Sequence, residues 1–148
     1  MLIFERLDAE LKEALKSKDE LRLSTIRMIK ASLKNKSIEK MDVLSDEDII
    51  SVLATMAKQR RESIEQFSSA ERSDLAEKEK KELEIIQSYL PEQLSQHAID
   101  EIILSVIKEC GASSPNDIGR VLKIVMPRIK GAADGKAVSQ RAKELLSQ

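Results

Sequence analysis

The residues best able to act as nucleophile or metal ligand occur once each: His97 and Cys110. A Cys–His nucleophilic pair would need them in contact, yet they lie thirteen residues apart near opposite ends of one helical stretch. That is about 20 Å along the axis at 1.5 Å per residue, so they cannot meet within one chain. One histidine also excludes a His-rich zinc site and the di-iron bundle, which needs two Glu-x-x-His pairs. No metal and no cofactor are expected. The sequence holds no Walker loop, nucleophile elbow or dinucleotide fingerprint. His97 reads as a surface histidine, and Cys110, three residues past Ile107 in an inward pattern, as a buried structural thiol. No catalytic residue is assigned, and the chain is not expected to be an enzyme by itself.

Phosphate recognition is the chemistry that the residue types favour. The 148 residues are nearly neutral, with 25 basic against 26 acidic side chains, but charge is spread unevenly. Residues 1–90 hold 17 basic and 19 acidic residues, and residues 91–148 hold 8 and 7. Within 118–143, Arg120, Lys123, Arg128, Lys130, Lys136, Arg141 and Lys143 face Asp134 alone, seven minus one giving +6. Such a local basic surface attracts phosphates. The segment RIKGAADGKAV lies in it. Gly131 and Gly135 permit close backbone approach, Lys130 and Lys136 flank the loop, and a helix begins there with free N–H groups. Asp134 can cap those same groups and would repel an anion, leaving the glycines to shape a turn. Arg120 and Lys123 project away from Val121, Leu122 and Val125, and Lys136 and Lys143 share an outer face. With Lys130 and Arg141 they make an outward basic ring suited to a nucleic-acid backbone.

The run KQRRES at 58–63 invites the same reading, but helical geometry divides it. At 100° per residue Lys58 and Arg61 point outward, whereas Arg60 falls inside the stripe of Leu53, Met56 and Phe67. The following helix has the matching anomaly, because Glu79 and Glu82 fall on the stripe of Leu75, Ile86 and Leu90. In an antiparallel hairpin turning near residue 70, position 60 lies level with about 80. Arg60 is therefore expected to pair with Glu79 or Glu82 as a structural ion pair rather than to contact RNA. KEKKE at 78–82 reads as a solvated face.

The elements that position these residues follow from the chain breakers. All four glycines and all three prolines fall after residue 90. Ninety residues without a breaker cannot hold many tight β-turns, so sandwiches and Rossmann-type folds are excluded there. Apolar residues recur at three and four: Phe4, Leu7, Leu11 and Leu15, then Leu23, Ile26, Ile29 and Leu33. The spacing predicts helices of about 3–17 and 20–36, with Asp19 as N-cap between them, then a polar loop NKSIEKMDVL. Ser45 with Asp48 forms a capping box opening a helix of about 46–68, and a fourth of about 73–89 ends at Pro91. Ser95 caps a helix of about 96–109, with Gly111 just past its end. Ser114–Pro115 starts a sixth that Pro127 ends or kinks, and a seventh follows Asp134.

The expected fold is all-α: a four-helix bundle over 1–90, a hinge at 91–95, and a three-helix domain over 96–148. No apolar run approaches the ~18 residues needed to span a bilayer, so no membrane association is expected. The start, MLIFERLDAELK, places Glu5 and Arg6 where a secretory signal would be apolar. With one cysteine unable to form an internal disulfide, this points to a cytoplasmic protein.

KQRRES followed by IEQF, then DLAEKE, SYLPEQLS and DIGRVLKIVMPRIKGAADGKAVSQ, in that order over essentially the whole chain, resembles the GatB/YqeY family. The resemblance implies an all-α protein with an N-terminal bundle and a C-terminal three-helix domain. It implies kinship with the tail of the B subunit of the glutamine-dependent, tRNA-dependent amidotransferase, which converts mischarged Asp-tRNA or Glu-tRNA to the amide form. There the tail is a tRNA-contacting appendage, while a kinase-like cradle and an amidase subunit, both lacking here, carry the chemistry. A carbon–nitrogen ligase label with glutamine as amido donor would be inherited vocabulary for this chain. Ala132 stands where family members often carry a longer polar or basic side chain. The function expected is a tRNA-interacting accessory module working beside aminoacyl-tRNA or amidotransferase machinery. The alternative is a protein-interaction adaptor that binds no nucleic acid.

Overall fold

A computed structural model describes residues 2–148. Among them there is no strand, and the protein is all-α. The chain divides into two compact units, Met1–Pro91 and Glu92–Gln148.

The first unit holds α1 (Leu2–Ser17), α2 (Glu20–Lys40), α3 (Asp46–Ser69) and α4 (Ser73–Gln87). Leu7, Ile26, Ile29, Leu33, Ile49, Leu53 and Ile86 are sealed from solvent at its centre. The α1 stripe is shorter than its spacing suggests, because Leu15 is exposed and Ala14 takes the buried place. Asp19 caps α2 by accepting the Arg22 N–H at 3.1 Å. The Ser45 hydroxyl accepts from Asp48 N–H at 3.1 Å while Asp48 accepts from Ser45 N–H at 2.9 Å, a capping box with aspartate in the glutamate place.

Two ends differ from expectation. α2 runs to Lys40 rather than 36, so six of the ten residues of the expected NKSIEKMDVL loop are helix. Asn35–Lys40 contains no breaker, and the helix stops only where Met41 turns left-handed at φ 60°. α4 stops at Gln87, two residues early, and Tyr89 and Leu90 close tighter turns onto the Ile86 and Gln87 carbonyls. Pro91 disfavours helical geometry at Leu90.

The second unit holds α5 (Gln96–Cys110), a 3₁₀ turn (Pro115–Asp117), α6 (Ile118–Ile129) and α7 (Gly135–Leu146). Its core is Ile99, Ile103, Val106, Val121, Val125, Ile129, Val138, Ala142 and Leu146. Ser95 caps α5 at Ala98 N–H, and Gly111 at φ 67° ends it. Ser114–Pro115 opens the short 3₁₀ turn, and α6 follows from Ile118. α6 passes Pro127 and ends two residues later at Ile129, so the helix outlasts the proline by less than a turn. Within 91–95, Gln93 Nε2 donates to the Gly131 carbonyl and Leu94 N–H to that of Ala132, both at 2.8 Å, which ties this segment to the α6–α7 loop.

Candidate nucleic-acid interface

The basic residues of 118–143 separate by side-chain type. Each arginine reaches α5 or its exit. Arg141 grips Asp100 with two parallel contacts, Nε to Oδ1 at 2.8 Å and Nη2 to Oδ2 at 2.9 Å, and meets Glu144 at 3.0 Å. Arg128 Nη2 lies 3.2 Å from Glu109 Oε2. Arg120 donates to the Cys110 carbonyl at 3.1 Å and to Asp117 Oδ1 at 2.9 Å. A planar guanidinium suits such forked contacts, and here the three arginines fasten α6 and α7 to α5. The Arg141 fork, followed by the Gln96 amide, holds the Asp100 carboxyl below its ordinary range. Asp117 is lowered too, first by the Ser113 N–H and then by Arg120.

The lysines behave differently. Lys123, Lys130 and Lys143 are exposed and meet no carboxylate among the described residues. Lys136 is exposed at the start of α7. Lys136, Gln140 and Lys143 recur at four and three along one side of α7. With Ser139, Ala137 and Asp134 they line a shallow hollow of about 470 Å³. At 100° per residue this stripe falls about 130° from Arg141 on α7, and Lys123 falls about 140° from Arg128 on α6 but only about 60° from Arg120.

The loop glycines have separate duties. Gly131 is buried at φ 79°, and its carbonyl is taken by Gln93. Only glycine holds that conformation cheaply, so it shapes the exit from α6. Gly135 has ordinary backbone geometry, and an added Cβ would meet only Met126 Sδ at 3.7 Å. Asp134 accepts the Lys136 N–H at 3.4 Å and so occupies the start of α7.

In the first unit, Arg60 Nε stands 2.9 Å from Glu82 Oε2 and 3.5 Å from Glu79 Oε2. The side chains are 15%, 7% and 20% exposed respectively, so Arg60 is largely withdrawn from the surface. The trio is held by charge rather than by aligned hydrogen bonds, for Arg60 Nε and Glu79 Oε2 are buried without a hydrogen-bond partner. Sequence periodicity gave no sign of a second polar contact: the Tyr89 hydroxyl donates to the Glu10 carboxylate, with Arg6 over the ring at 4.8 Å. Burial, then the Glu10 carboxylate, push the Tyr89 hydroxyl well above its usual pKa.

His97 pairs with Glu101 at 2.9 Å on the surface. Cys110 is half-buried rather than buried, and its thiol points to the Ile107 carbonyl of its own helix. Among the described residues no group of three or more His, Cys, Asp or Glu could hold a metal ion, and no helix is long and apolar enough to cross a membrane.

The family model described as "Yqey-like protein" matches residues 4–146. The chain belongs to the YqeY-like family. This family is related to the C-terminal region of GatB. The YqeY-like chain is 34% identical over 148 residues to "Altered inheritance of mitochondria protein 41, mitochondrial" of Pyrenophora tritici-repentis, covering 98% of itself and 81% of that protein. Proteins of the same name from Lachancea thermotolerans and Kluyveromyces lactis are 38% and 35% identical, each over 74% of this chain. The chain spans only 60% and 61% of their lengths. These names overturn the expectation of a cytoplasmic protein. That expectation rested on evidence against a secretory signal and a disulfide, and neither separates cytosol from a mitochondrial interior.

Proposed function

We propose that this YqeY-like protein is a tRNA-interacting accessory module that holds RNA by its phosphates along the α6–α7 side of the second unit. One observation carries the reading: the arginines of the basic segment are engaged with α5, while Lys123, Lys130 and Lys143 keep their charge for a partner. An ammonium serves as a point charge for a phosphate, and Ser139 and Gln140 add donors between Lys136 and Lys143. In this reading Arg120 and Arg141 leave the contact set and become supports. Gly131 shapes the loop, and Gly135 is the one loop glycine with room for an approaching backbone. The chain works beside tRNA amidation or aminoacylation machinery and contributes no catalytic group of its own.

Counterion release gives the test. A gel shift of total tRNA at low and raised salt should show binding that falls steeply with salt. Reversing Lys123, Lys130 and Lys143 to Glu should reduce the slope by about one unit per lost contact. Absence of any shift at low salt would overturn the reading and leave the adaptor, whose partner binding would be insensitive to salt.

A further inference from the structure

The end of α2 and its link to α3 carry apolar side chains that the N-terminal unit does not use. Among the large hydrophobics left exposed, three of the four most exposed lie within six residues here: Met41 at 90%, Val43 at 73% and Ile38 at 64%. They are not on a slack loop. Met41 and Asp42 N–H groups both donate to the Ser37 carbonyl, at 2.9 and 3.4 Å, and the Ser37 hydroxyl donates to the Asp42 carbonyl at 3.0 Å. Asp42 Oδ1 in turn accepts the Val43 N–H at 2.7 Å. Met41 keeps φ at 60°, where glycine is favoured, and its side chain recovers nothing by burial.

The charge around this tip is mainly negative, and its two lysines are taken up: Lys36 pairs with Glu39 at 3.6 Å and Lys40 with Asp48. Residues 38–48 contain Glu39, Asp42, Asp46, Glu47 and Asp48 against Lys40, which is bound to Asp48. That contact draws the first turn of α3 beside the end of α2. Asp46 and Glu47 have no basic partner among the described residues. An apolar centre with an acidic border complements an apolar face bordered by lysine or arginine. It opposes an anionic membrane, and it opposes the same tip of a second copy, whose acids would face its own.

We infer that Ile38, Met41 and Val43 form a preorganised docking point for a basic amphipathic helix of a partner protein, whose lysines or arginines meet Asp42, Asp46 and Glu47.

The probe is a labelled peptide of leucine and lysine, with leucines at i, i+3, i+4 and i+7, titrated into the full chain. Binding should weaken about tenfold or more in Met41→Gly/Val43→Ser and in Asp46→Lys/Glu47→Lys. Thermal unfolding of the first variant should be unimpaired, since glycine suits the turn. Leu104→Ser, an exposed leucine elsewhere, should bind as the parent does, and a leucine–glutamate peptide should not bind. The inference is overturned if the parent chain binds neither peptide or both, or if the tip variants bind like the parent. It is equally overturned if Met41→Gly/Val43→Ser abolishes self-association in sedimentation or binding to phosphatidylglycerol vesicles.

Discussion

Arginine does opposite things in the two units with the same chemistry. In the first, Arg60 is drawn between two helices and meets two carboxylates out of water. In the second, Arg120, Arg128 and Arg141 run along the outer seams and bind carboxylates or a carbonyl of α5 and its exit. The largely buried trio cannot lose one member cheaply, because the remaining charges have little solvent to turn to. The seam contacts are partly solvated and individually weak, and they act by orienting helices. The difference also explains why Lys123, Lys130 and Lys143 stand apart: the seams employ the forked side chains and leave these ammonium groups outward.

The strongest way to break this contrast is Arg60→Met. Stranding Glu79 and Glu82 should destabilise the chain by about 3–5 kcal/mol in urea unfolding, and adding Glu79→Gln and Glu82→Leu should recover most of it. A loss under about 1 kcal/mol would place the trio with the seam contacts. Next, Arg141→Ala should lower the melting temperature while leaving the salt slope of tRNA binding unchanged, whereas Lys143→Glu should do the reverse. Equal effects from both would erase the division between arginine and lysine.

The loop glycines give a smaller pair of effects. Gly131→Ala forces a Cβ into φ 79° and should cost about 1–2 kcal/mol. Gly135→Ala should stay within about 0.5 kcal/mol, and if it nevertheless weakens tRNA binding, an RNA backbone approaches there.

The mildest effect concerns acid. The Lys40 ammonium, then the Ser45 N–H and hydroxyl, hold Asp48 down to about 2 from 3.8. A depressed carboxylate contributes stability that is full above its unfolded pKa and is lost as pH falls through the folded one. Urea unfolding should therefore show Asp48→Asn weaker than the parent at about pH 5, with the gap closing toward about pH 2. A gap that persists there would assign the contribution to cap geometry alone.

Local signals made most of the fold legible. Asp19, Ser45 and Ser95 mark helix starts because a side-chain oxygen must meet an N–H two or three residues on, which needs no distant partner. The α2 end is not legible locally, because polar residues such as Asn35–Lys40 are as acceptable in an exposed helix as in a loop. The cytoplasmic reading failed because composition carries no signal that separates reducing compartments.

The sequence by itself determined the helical class, the caps, and the level at which Arg60 meets Glu79 and Glu82, since periodicity and a short hairpin fix which positions face each other. Only the tertiary structure decided which cations remain outward. Arg141 finds Asp100 41 residues away, and Tyr89 finds Glu10 79 residues away. Asp117 and Glu144 each stand one residue outside the +6 window, while Asp100 and Glu109 lie further back on α5. A count along the chain sums charge by sequence distance, whereas Coulomb attraction acts through space, so neutralising partners appear only once α5 is packed against α6 and α7.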